Sequence, residues 1–153
     1  MGRATVPLVG VVLLVALTVA AGAVVAAGTL GVDPHSPTDR VALAVAADAD
    51  EDRVALTHGG GTTLDVRELS LSIRIEGEPL THQPPIPYFA ARGFVGAPTG
   101  PINSGGDPHW STGERATLRI ASTNEPRPAP GDRVTVELAT ERAVLARGET
   151  RAT

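Results

Sequence analysis

Between Arg3 and Asp33 the chain carries no charge. Residues 5–32 are therefore an unbroken run of uncharged, mostly apolar positions. As a helix the run would extend ~42 Å at ~1.5 Å per residue. A bilayer core is only ~30 Å thick. The residues after the run can build only a modest core, too small to enclose so long an apolar helix on all sides. The expectation is a single N-terminal transmembrane or assembly α-helix over 5–32. Its second half is crowded with small residues, and Gly22/Ala26 and Ala23/Ala27 are small-xxx-small pairs that let helix backbones approach closely. A cleaved secretory signal competes, with Arg3 as its n-region and Ala21-Gly22-Ala23 as its site. The apolar run, however, exceeds the ~7–15 residues such signals use. As a stable anchor, Arg3 lies inside and Asp33 and Asp39 outside, which turns the rest of the chain outward.

Residues 33–39, "DPHSPTD", hold two prolines and read as a helix stop and linker. Beyond them the period becomes two. "VALAVAAD" (41–48) aligns Val41, Leu43 and Val45. "DADED" then reads as a polar hairpin tip, and "RVALTHGGG" (53–61) as the returning strand. "LSLSIRIEG" (69–77) alternates most cleanly, through Leu69, Leu71, Ile73 and Ile75. "ATLRIAS" (116–122), "DRVTVELA" (132–139) and "RAVLARG" (142–148) complete six short strands. The expected fold class is thus an N-terminal helix followed by a small all-β antiparallel sandwich over 40–149.

Residues 84–113 differ from the rest. They hold six of the 13 prolines, six of the 17 glycines and all four aromatics: Tyr88, Phe89, Phe94 and Trp110. So long an irregular segment in a small domain is usually functional or disordered, and the aromatics argue against disorder. Two readings stand, an exposed recognition loop or a crossover whose aromatics plug the core. The weight of large aromatics in small cores favours the plug.

Chemistry finds little support in the residues. There is no cysteine, which excludes disulfides, thiolate catalysis and Cys-based zinc sites. All 13 basic residues are arginine, against 17 acids, so no basic patch awaits nucleic acid. Asp48, Asp50 and Asp52 begin like a calcium loop. The sharp-turn position is then Arg53 and the bidentate position Gly59, so a solvated hairpin tip is the better reading. His35, His58, His82 and His109 are scattered, with no metal-binding spacing. His58 reads as a strand-end residue before a turn. "GGGTT" lacks the ending of a phosphate loop, and no GxSxG elbow exists. The expectation is a non-enzymatic chain without cofactor or metal.

"RATVPLVGVVLLVALTV" (3–19) resembles the start of haloarchaeal type IV pilins and pilin-like proteins. Arg3, Ala4, Pro7, Gly10, Val15, Ala16, Thr18 and Val19 match that pattern. "VALTHGGGTTLDVREL" (54–69) and "PGDRVTVELA" (130–139) are similar to it more loosely. The resemblance implies a short leader, residues 1–4, removed by a prepilin peptidase between Ala4 and Thr5. Arg3, Ala4 and Thr5 are then the processing residues. Pro7, Gly10, Gly22, Ala23, Ala26 and Ala27 would serve helix packing. Thr5-Val6 stands where the family has Val-Ser, and Val9 stands where bacterial pilins carry glutamate. The implied partners are membrane lipid and other pilin subunits. The implied location is a single-pass membrane protein with its C-terminal domain outside, and a cell-surface filament used in adhesion. The alternative is a membrane-anchored or secreted cell-surface β-sandwich binding module.

Overall fold

Strand placement follows the alternation, and a computed structural model describes it for residues 41–153. Six strands lie along the alternating stretches: β1 (Ala42–Asp48), β2 (Arg53–Gly60), β4 (Ser70–Ile75), β7 (Arg115–Arg119), β8 (Arg133–Ala139) and β9 (Val144–Arg151). Three two-residue strands join them: β3 (Leu64–Asp65), β5 (Glu78–Pro79) and β6 (His109–Trp110). In β4, Leu71, Ile73 and Ile75 are buried while Ser70 and Arg74 are exposed. That is the period-two burial of a half-wetted antiparallel strand.

The strands form antiparallel sheets in the orders β1-β2-β7, β5-β4-β8-β9 and β3-β6. The inner faces of the two larger sheets share one core. Val54, Leu56, Leu118 and Ile120 come from the first sheet, and Ile73, Val134, Val136 and Leu138 from the second. Trp110 and Ile102, both fully buried, enter from the irregular segment.

The expected fold class, a helix followed by a sandwich, is corrected. The described residues are all-β, and their only helical pieces are 3-10 turns at Val66–Glu68 and Gly100–Ile102. Among the described residues no helix is long and apolar enough to cross a membrane. Period-two patterning punctuated by proline and glycine gives no apolar stripe at helical spacing. Residues 1–40, with the expected leader, helix and linker, lie outside the described residues.

The two larger sheets also meet along one side. The Ala49 N–H donates to the Thr153 carbonyl at 2.9 Å, and the Thr153 N–H to the Ala47 carbonyl at 3.1 Å. One residue bonded to two positions two apart on its neighbour is the parallel ladder pattern. At the other end the Val41 N–H reaches the Leu145 carbonyl at 3.4 Å. β1 and β9 therefore run side by side in the same direction. Between these points Gly148 faces β1, where a Cβ would run into the Val45 side chain and come within 3.0 Å of the Leu43 carbonyl oxygen.

The outer edges are covered. Beside β7, the backbone of Val95 and Thr99 bonds to Arg119 and Thr117, with N–H to O distances of 2.9 Å. Beside β4, β5 pairs with Arg74 and Ile75. The Gln83 amide continues that pairing. Its Oε1 accepts from the Ile73 N–H at 2.7 Å, and its Nε2 donates to the Ile73 carbonyl at 2.9 Å. An edge left bare would offer unpaired backbone groups to any passing chain.

Candidate functional site

Residues 84–113 divide their aromatics between core and surface. Tyr88 is held in a strand-like bridge to Asn103, with its N–H on the Ile102 carbonyl at 3.0 Å. Neighbouring residues on extended backbone point to opposite sides. Tyr88 accordingly packs inward against Phe94, ring centroids 5.7 Å apart, while Phe89 is 68% exposed. Trp110 is fully buried, and its Nε1 donates to the Glu114 carbonyl at 3.0 Å. The plug reading thus describes Tyr88, Phe94 and Trp110, and the exposed-loop reading describes Phe89.

Phe89 stands over a cleft of about 570 Å³, lined also by Gly100, Asn103, Gly106, Asp107 and Glu114. It is a shallow depression, open to solvent over most of its extent. The fold fixes each wall. Gly100 has φ of +74°, and a Cβ there would strike the Arg115 carbonyl, so the floor presses directly on β7. Asn103 is held at both ends, donating to the Pro98 carbonyl at 2.9 Å and accepting from the Gly105 N–H at 2.8 Å.

The two carboxylates are anchored through one oxygen each. Asp107 Oδ1 accepts from the His109 N–H at 2.9 Å and lies 2.7 Å from His109 Nδ1. Glu114 Oε2 accepts from the Ser111 N–H at 2.6 Å. Asp107 Oδ2 and Glu114 Oε1 have no partner among the described residues. The backbone N–H of His109, then its imidazole, hold the Asp107 carboxyl below its usual range. Nearby, the Arg67 guanidinium holds Asp65 down to about 2. Inside, burial pushes the Tyr88 hydroxyl up to about 12, and its oxygen has no partner among the described residues.

A second surface, the outer face of β4, β8 and β9, carries a charged depression of about 490 Å³. There Arg147 pairs with Glu137, and Arg133 Nε lies 3.3 Å from Glu149. Two of its arginines are thus paired with two of its glutamates, whereas the cleft offers acceptors that have no partner among the described residues.

The sequence-expected processing residues Arg3, Ala4 and Thr5 lie outside the described residues. So do the packing residues Pro7, Gly10, Gly22, Ala23, Ala26 and Ala27. The acidic run falls at the β1–β2 turn. There Asp52 (φ 48°) takes two bonds from Arg127, at 3.1 and 2.5 Å. His58 lies near the end of β2 and is buried. Its Nε2 is 2.9 Å from the Thr62 carbonyl, its Nδ1 lacks a partner, and its ring meets Trp110 edge-on at 6.2 Å. Among the described residues no three acidic or histidine side chains are grouped to hold a metal ion. Sequence reasoning marked the segment 84–113 and named Phe89 among its aromatics, without saying which aromatic is exposed, and it singled out neither Asp107 within the segment nor Glu114 just after it. The available signal was two adjacent aromatics, of which extended backbone can bury only one.

No family model matches the chain, and no curated protein does. Among solved structures, the chain is similar to the archaellum periplasmic stator protein FlaG from Sulfolobus acidocaldarius. The two are 12% identical, with a TM-score of 0.42 over 72% of this chain and 97% of that one.

Proposed function

We propose that this chain is a non-enzymatic, pilin-like subunit of archaeal surface filaments used in attachment. One observation carries the reading: the charge-free run 5–32, which begins directly after Arg3-Ala4 and precedes an all-β unit. A prepilin peptidase cuts between Ala4 and Thr5. The apolar run holds the chain at the membrane and later meets the same run on other subunits. Pro7, Gly10, Gly22, Ala23, Ala26 and Ala27 lie where those segments approach. The β unit faces outward and forms the filament surface.

Mass spectrometry of the mature N-terminus, from membrane and shed-filament fractions, tests the reading. The expected end is Thr5. An intact Met1 end, or an end near Ala23, refutes it. Ala23→Arg is expected to abolish filament incorporation while the fluorescence of buried Trp110 stays native. Unchanged incorporation would remove the packing role of the apolar run.

The Phe89 cleft favours a second reading, a cell-surface binding module anchored at or released from the membrane. In that case no filaments form, and the released form is found free in the medium.

A further inference from the structure

The cleft beneath Phe89 combines an exposed aromatic ring with two carboxylates. Neither carboxylate meets an arginine among the described residues, and Asp107 pairs only with His109. One oxygen of each is fixed by a backbone N–H, which leaves the other aimed at solvent in a set position. Oriented acceptors beside an open ring suit a guanidinium with an apolar neighbour. The cation lies against the ring and its planar fork meets the carboxylates.

This chain presents that chemistry itself. Every basic side chain in it is arginine. The β8–β9 turn is closed by the Thr140 N–H on the Ala143 carbonyl at 2.9 Å, and it carries exposed Arg142. Two residues on, Val144 is 50% exposed, one of three large apolar side chains so exposed among the described residues, Phe89 being another. The other described arginines of the β8–β9 hairpin are engaged. Arg133 and Arg147 make ion pairs, and Arg151 donates to the Gly131 carbonyl at 2.9 Å. Arg142 has no carboxylate within ion-pair distance among the described residues.

We propose that the Phe89 cleft of one copy receives Arg142 and Val144 of the β8–β9 turn of a second copy. The inference rests on the reading of the chain as a self-assembling subunit. The contact joins two different patches, and in the proposed assembly it repeats head-to-tail along a row of copies.

The chain lacks cysteine, so introduced thiols report only on their own positions. The experiment uses the full chain in its assembled form, carrying Phe89→Cys with Val144→Cys under mild oxidation. The expected result is a ladder of disulfide-linked multimers, with neither single substitution giving more than background. Efficient cross-linking by Phe89→Cys alone, or only a within-chain bond in the pair, overturns the proposal. Charge variants give a second measure. Arg142→Gln, and Asp107→Asn with Glu114→Gln, are each expected to weaken association by at least about tenfold, from lost charged hydrogen bonds. Phe89→Ala is expected to weaken it about 2–5-fold. Arg142→Glu abolishes the contact and Glu114→Arg restores it in the double variant; absence of that rescue overturns the pairing. Filaments with Thr5 ends but no such cross-links refute this contact alone. A wrong N-terminus without filaments refutes the assembly reading itself.

Discussion

Gly148→Ala tests the join between β1 and β9. Gly148 does not have the positive φ that alanine avoids, so the effect comes from packing. The new Cβ would overlap Val45 and sit 3.0 Å from the Leu43 carbonyl. Val45 is β-branched and cannot swing aside freely. Overpacking of this kind costs about 1–3 kcal/mol. Replacing glycine returns about 0.4–1 kcal/mol by restricting the unfolded chain. The net expectation is a loss of about 1.5 kcal/mol, or a Tm lower by roughly 5 °C for a unit of this size. Urea unfolding of the full chain in non-ionic detergent, read by Trp110 fluorescence, isolates the β unit because no other tryptophan is present. Val45→Ala removes the obstructing methyl groups. In the double variant alanine at 148 should be tolerated, with a coupling of about 1 kcal/mol. If Gly148→Ala is neutral or stabilising, or if its cost is unchanged beside Val45→Ala, then β1 and β9 do not meet as described.

Tyr88→Phe removes a buried hydroxyl that has no partner among the described residues. It should leave neutral-pH stability unchanged or raise it by up to about 1 kcal/mol, since no hydrogen bond is lost. It should also flatten the alkaline limb. With the folded pKa raised to about 12, wild type loses stability from pH 10 upward as the unfolded phenol ionises first. At the acid end, Asp65 is held to about 2, so its contribution is present above the unfolded pKa near 4 and lost as pH falls towards 2. Asp65→Asn should shrink the drop in Tm across that window, measured by scanning calorimetry. Asn124 is fully buried and bonds the His82 N–H at 2.9 Å and the carbonyls of His82 and Gly93 at 2.9 and 3.0 Å. Asn124→Ala leaves the His82 N–H and carbonyl unpaired, while the Gly93 carbonyl keeps the Ala121 N–H, and should cost about 2–3 kcal/mol in urea unfolding.

The long strands were legible because burial on one face imposes a strict period. β4 and β8 could be drawn from Leu71, Ile73, Val134 and Val136 alone. β3, β5 and β6 could not, since two residues carry no period. Their existence depends on distant partners, as when Leu64 meets Trp110. The β1–β9 join was equally invisible. Gly148 looks like an ordinary glycine in a strand until Val45 is seen beside it. At the cleft, composition marked residues 84–113 as unusual. Which aromatic faces solvent followed from the Tyr88–Asn103 bridge, a contact between positions far apart in the chain. The strand-end position of His58 was legible from the glycines that follow it, but the burial of its ring against Trp110 was not.

The side-chain amide of Gln83 and the backbone of Val95 and Thr99 occupy edge positions of β4 and β7 where a foreign strand could dock. In the proposed filament, β units of this kind would stand shoulder to shoulder at very high local density. With both flanks occupied from within, one unit cannot serve as a template for fibrillar growth from the next. Crowding then selects contacts between side chains, which charge, salt and mutation can tune and which remain reversible.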